Sequence, residues 1–116
     1  MKNEPEGRTL QFALKVITFV ESLPRSPAGA VLGRQLLRSA TSIGANYREA
    51  QRAESKADFI HKVAVAEKEA AETEYWLILC RESRLAAPEA DKLLAESREL
   101  LAIFVTIGRN TKRNQK

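Results

Sequence analysis

Apolar positions along the chain recur at spacings of three and four, and proline and glycine divide the pattern into four segments. That spacing is the mark of amphipathic helices. The first segment runs from about Thr9 to Ser22, with Phe12, Val16, Phe19, Val20 and Leu23 along one face. Pro24-Arg25-Ser26-Pro27 ends it, because proline disfavours helix in the residue before it. The second covers about Ala28 to Arg52, with a stripe of Leu32, Leu36, Ala40 (or Ser39), Ile43, Tyr47 and Ala50. Ser55 followed by Asp58 resembles a capping box and opens the third, about Lys56 to Ser83. Here Phe59, Val63, Ala66, Ala70, Thr73, Leu77 and Cys80 alternate spacings of four and three, a heptad-like seam. At about 1.5 Å per residue this helix is a rod of about 42 Å. Pro88 suits the first turn of a fourth helix, which carries Leu93, Ser97, Leu100, Phe104 and Ile107, widened by Leu94, Leu101 and Val105. Gly108 is expected to stop it. No segment alternates like a strand. The chain therefore reads as all-α, an antiparallel up-down-up-down four-helix bundle over residues 9–108. A disordered N-terminus, 1–8, is expected before it and a basic tail, 109–116, after it.

One stretch departs from the usual Leu and Ile of a bundle helix. Residues 36–50, LLRSATSIGANYREA, are mostly small or polar. Glycine inside a helix costs about 1 kcal/mol relative to alanine, so something is expected to press closely on this segment. The short turn near Ala53 and Glu54 folds the second helix onto the third. It sets Ser39 to Ala45 against Ala64, Ala66 and Ala70, and Arg34 and Arg38 against Glu67, Glu69, Glu72 and Glu74. The second helix has four Arg and one Glu; the third has four bases and six acids, so the surfaces are complementary in charge. Glu67 and Glu74 share an otherwise apolar stripe with Ile60, Ala64, Ala71 and Ile78. A buried carboxylate needs a partner, and Arg38, with Arg34 second, is expected to supply it.

Composition narrows the function. The chain has 116 residues, one domain with room for a core. Net charge is +4, and Arg109, Lys112, Arg113 and Lys116 account for all of it. Such a tail either binds phosphate backbones or is a solvated end, and the sequence leaves both open. A lone Cys makes neither an internal disulfide nor a Cys-based zinc site. The polar start MKNEPEGR is not a signal peptide, and no apolar run reaches the roughly 20 residues that span a bilayer. A cytoplasmic location and no membrane partner are the expectation. A di-iron bundle needs two Glu-x-x-His pairs; this chain has one His, His61, read as a surface residue. Cys80 continues the apolar seam and has no His at a matching offset. There is no Walker loop, glycine-rich phosphate fingerprint or nucleophile elbow. No enzyme activity, cofactor or metal is expected. Of the adjacent Tyr75 and Trp76, one is expected in the core and the other at a helix or subunit contact.

The runs LLRSATSIGANYREA and ESKADFIHKVAVAEKEAAETEYWL resemble the bacterial four-helix-bundle proteins encoded in 23S rRNA intervening sequences, over roughly residues 10–107. Some members carry a ribosomal-protein-like label. The resemblance implies a ring-forming homo-oligomer, typically a pentamer. A related accessory protein of diversity-generating retroelements forms such a ring and is associated with reverse transcriptase and nucleic acid. By this resemblance Arg38, Ser42, Asn46 and Glu49 of the second helix, and Glu67, Glu72 and Tyr75 of the third, are motif positions with structural or interface roles. Two functions compete. One is a non-enzymatic oligomer that associates with RNA or DNA through Arg109, Lys112, Arg113 and Lys116, with Arg48 and Arg52 as further candidates. The other is an oligomeric scaffold for a protein partner, such as a reverse transcriptase, with no nucleic-acid contact of its own.

Overall fold

The computed structural model describes residues 4–114, and its helices are α1 (Glu4–Glu21), α2 (Pro27–Gln51), α3 (Lys56–Glu82) and α4 (Ala87–Arg113). Each packs on its neighbours in chain order and α4 returns to α1, while across the diagonal Tyr47 of α2 meets Phe104 of α4 in the core, with ring centroids 5.4 Å apart. That closes an antiparallel up-down-up-down bundle, 50 × 26 × 20 Å. The α1–α4 seam is the least tightly packed of the four.

Local chemistry sets the helix ends. The Ser26 hydroxyl accepts from the Gly29 amide at 3.1 Å, with Pro27 at the first helical position. The Ser55 hydroxyl likewise accepts from the Asp58 amide at 3.0 Å. α3 ends on Arg84, whose φ of 62° is left-handed. The Leu85 amide donates to the Cys80 carbonyl and the Arg84 amide to that of Arg81, a Schellman motif with Arg where glycine is usual.

Two boundaries differ from expectation. α1 begins at Glu4, so residues 4–8 are helix, not a disordered lead; residues 1–3 lie outside the described residues. Glu4 and Glu6 suit the positive end of the helix dipole, and Arg8 is held by Glu96 and Glu99 of α4 at 2.6 and 2.7 Å. These pairs raise the Arg8 guanidinium above its ordinary pKa, the hydrogen bond to Glu96 first. α4 does not stop at Gly108 but runs to Arg113. A single glycine weakens a helix without breaking one that is packed along its length.

The core follows the predicted stripes. Phe12, Val16, Phe19, Leu36, Ile43, Tyr47, Leu77, Leu100 and Phe104 are buried, and every member of the α3 seam from Val63 to Cys80 is too. Phe59, Leu32, Val20 and Ile107 are only partly covered. Burying such a side chain contributes about 1.5–3 kcal/mol. The small residues of α2 meet two neighbours. On the α3 side, the Thr73 hydroxyl lies 2.8 Å from the Ser39 oxygen. On the α1 side, Gly44 lies under Thr9, where a β-carbon would sit 3.0 Å from the threonine oxygen. The close approach expected of this stretch therefore involves α1 as well as α3.

Candidate nucleic-acid interface

The antiparallel order brings the first turns of α1 and α3 and the last turns of α2 and α4 to one end of the bundle. Contacts across it fix the arrangement. Arg48 of α2 pairs with Glu6 of α1 at 3.3 Å. Lys62 of α3 pairs with Glu49 of α2 at 2.7 Å, and that hydrogen bond holds its ammonium above the ordinary lysine pKa. The Lys56 ammonium donates to the Asn114 carbonyl at 2.9 Å, capping the negative end of α4.

Within this end the predicted cations occupy defined places. Arg109, Lys112 and Arg113 are exposed on the last turn and a half of α4, at spacings of three and four that make Arg109 a neighbour of both others. Arg52 is exposed where α2 ends. Among the described residues these four make no ion pair, while Arg48 is engaged by Glu6. Lys116 lies outside the described residues. Lys56, Lys62 and His61 join the same end, which the sequence reading did not anticipate. The hairpin turn at residues 52–55 was the available signal, because it returns the start of α3 to the end of α4. Glu54 and Asp58 lie here too, so the surface is basic with acids interspersed.

The structural positions are redistributed. Arg38 pairs with Glu72 and, at 3.5 Å, with Glu69. It does not pair with Glu67 or Glu74. At about 100° per residue, Glu69, Glu72 and Trp76 turn toward α2, whereas Glu67 and Glu74 turn toward α4. Glu74 is bound by Arg98 of α4 at 2.8 Å. Glu67 is half-buried in a shallow cleft with Ile60, Ala64, Val105, Gly108, Arg109 and Lys112, and makes no ion pair among the described residues. Arg34 is exposed and lines a cleft beside Pro24 and Pro27, with no ion pair among the described residues. The Trp76 indole N–H donates to Glu72 at 3.0 Å, so one carboxylate ties Arg38 and Trp76 together.

Ser42 and Asn46 are bound to their own helix, through the Arg38 and Ser42 carbonyls at 2.8 and 2.9 Å. Tyr75 is 55% exposed and packs edge-on against Trp76 with ring centroids 5.2 Å apart. Trp76 is half-buried, so neither aromatic is a core residue. The Cys80 thiol is buried, which pushes its pKa up and keeps it protonated. Among the described residues no three metal-ligating side chains converge, and no helix is long and apolar enough to cross a membrane. The basic end presents exposed positive charge beside the shallow α3–α4 cleft, which Arg109 and Lys112 help to line.

A family profile described as 23S rRNA-intervening sequence protein matches residues 6–106. No curated protein sequence matches. Among solved structures, the chain is similar to a protein of unknown function from the S23 ribosomal protein family of Bacteroides thetaiotaomicron. Identity is 37%, the TM-score is 0.83, and the match covers 90% of this chain and 97% of the other.

Proposed function

Because the chain belongs to the 23S rRNA-intervening sequence protein family, we propose that it is a non-enzymatic, oligomeric bundle that associates with RNA or DNA through its basic end. One observation carries the reading: Arg52, Arg109, Lys112 and Arg113 gather at one end of the bundle without internal ion pairs. A cation already neutralised inside the fold has little to offer a phosphate; these four remain available. A cyclic oligomer, the pentamer of the family resemblance included, repeats the cluster around one rim. Weak phosphate contacts then add through effective concentration. Contacts of this kind are insensitive to sequence and fall steeply with salt.

The test is fluorescence anisotropy of labelled single-stranded and hairpin RNA across a salt series. Wild type is expected to bind both with similar affinity, the logarithm of the affinity falling linearly with the logarithm of salt. The variant Arg109→Gln/Lys112→Gln/Arg113→Gln should bind more weakly and lower the slope by about 2 for each protomer engaged. Unchanged affinity in that variant overturns the assignment.

The exposed row Leu10, Leu14 and Ile17 and the exposed Tyr75 favour a second reading, a scaffold for a protein partner. A pull-down with nuclease treatment separates the two, since a protein-mediated complex survives it.

A further inference from the structure

Ile60, Ala64 and Glu67 recur at spacings of four and three on α3, and Val105, Gly108, Arg109 and Lys112 share one face of α4. Together they line the shallow cleft of 280 Å³ along the outer seam of the two helices. Its floor is apolar, one carboxylate stands half-buried in it, and two cations flank it. Among the described residues Glu67, Arg109 and Lys112 make no ion pair. A half-buried carboxylate gives up part of its hydration, and nothing within the protomer returns hydrogen bonds to it.

Helix register spaces these groups. Val63 stands opposite Gly108, so in the antiparallel pair Glu67 is level with Phe104. Arg109 and Lys112 then lie about 8 and 12 Å further along the seam, toward the basic end. Gly108 comes between the carboxylate and the cations. β-carbons on Gly29, Gly33 and Gly44 would press on Pro24, Val20 and Thr9, so the fold itself requires those glycines. On Gly108 a β-carbon would meet only Val63, at an ordinary 3.8 Å. No packing within the protomer requires a glycine there, and without a side chain it leaves a flat stretch of floor.

An occupant of this cleft has to combine three properties. Arg109 and Lys112 favour negative charge. Glu67, an acceptor only, needs N–H donors. The floor accepts a flat face no larger than one ring system, since the cleft is at the small end of ligand sites, about 300–1,000 Å³. A nucleotide has all three, with its phosphate and its base edge at opposite ends. Among the four RNA bases, only guanine turns two adjacent N–H donors, N1–H and the 2-amino group, along its Watson–Crick edge. Adenine and cytosine set a ring-nitrogen acceptor beside the amino group, and uracil sets a carbonyl on each side of its one N–H. Each of those three places a lone pair against the carboxylate.

We propose that the α3–α4 cleft seats one unpaired guanine of a bound RNA strand, with Glu67 accepting from N1–H and the 2-amino group while Arg109 and Lys112 hold its phosphates. Unpaired bases are the part of RNA whose edges a protein can read. The inference rests on the nucleic-acid reading above and adds a base preference to phosphate contacts that are blind to sequence. Arg52 and Arg113, exposed at the same end, take neighbouring phosphates, which favours a strand over a free nucleotide.

The test is fluorescence anisotropy of labelled oligouridine carrying one central guanosine, inosine or adenosine. Wild type should bind the guanosine strand at least about fivefold tighter than the adenosine strand, the low end for a bidentate base contact. Inosine, which lacks the 2-amino group, should fall between them. All three should share one salt slope, because the phosphate contacts are the same. Glu67→Gln exchanges one acceptor oxygen for an amide donor, so the side chain matches adenine instead. This variant should bind the adenosine strand at least as well as the guanosine strand, a reversal that a merely structural role for Glu67 would not produce. Gly108→Leu should lower the guanosine preference and leave the salt slope unchanged. Circular dichroism confirms that both variants are folded. Free GMP, without neighbouring phosphates, should displace the guanosine strand only at concentrations far above that strand's Kd; displacement at comparable concentrations overturns the strand assignment. If wild type binds guanosine and adenosine strands equally, or Glu67→Gln keeps the wild-type preference, the cleft assignment is overturned, while salt-dependent binding leaves the nucleic-acid reading standing. Absence of binding to every strand overturns both.

Discussion

Thr9 of α1 lies over Gly44 of α2, so close that a β-carbon on the glycine would sit 3.0 Å from the threonine hydroxyl and 3.1 Å from its Cβ. Two effects compete in Gly44→Ala. Helix propensity favours alanine by about 1 kcal/mol, whereas overpacking a filled site costs about 1–3 kcal/mol. Thr9 is 2% exposed, and its Cβ is fixed by the helix backbone, so it cannot swing aside. Overpacking wins, and urea unfolding should show a loss of about 1 kcal/mol. Gly108→Ala, where a β-carbon would meet only Val63 at an ordinary 3.8 Å, should gain about 1 kcal/mol.

Arg38 holds Glu72 and Glu69, not Glu67. A double-mutant cycle of Arg38→Met with Glu72→Gln should give a coupling of about 0.5 kcal/mol, small because the pair is part-exposed. The same cycle with Glu67→Gln should be additive. Equal couplings in the two cycles would contradict the pairing.

Arg84 occupies a left-handed conformation at the end of α3. Glycine adopts it without the clash that a β-carbon brings. Arg84→Gly should therefore raise stability by about 0.5–1 kcal/mol, read as a higher denaturation midpoint with unchanged slope. Arg84→Ala should not.

Burial raises the Cys80 thiol above its ordinary pKa, so the fold favours the protonated form. That preference is fully present below the unfolded thiol value of about 8.5. It is lost as pH rises from there toward the folded value. Stability should decline above about pH 8.5 more steeply in wild type than in Cys80→Ala. Iodoacetamide at pH 8 should label the native protein slowly and the urea-unfolded protein at once.

The four helices were legible because each buries one regular stripe. The α3 seam from Val63 to Cys80 is buried residue for residue. Boundaries were harder. Glu-Pro-Glu before α1 reads as a polar end until the Arg8 bridges to α4 are known. Gly108 reads as a stop because a sequence does not show how much packing sustains α4 beyond it. Partner choice was harder still. Arg38 was correctly set against the acids of α3, but which acids face α2 depends on helix rotation, and Glu67 and Glu74 turn to α4. The basic residues were visible one by one. Their gathering at one end follows from topology, which joins α4 to the start of α3 through Lys56 and Asn114. The second apolar row of α1 was also in the sequence, at Leu10, Leu14 and Ile17, and was masked by the stronger inner stripe.

The central claim joins assembly to nucleic-acid binding, and mass in solution, with and without RNA, across a salt series tests both. The account predicts an oligomer whose mass is nearly independent of salt, because apolar surface holds it. It predicts that RNA adds to that mass at low salt and is released as salt rises, leaving the oligomer intact. A monomer at every salt concentration, or an oligomer to which RNA never adds mass, would contradict it.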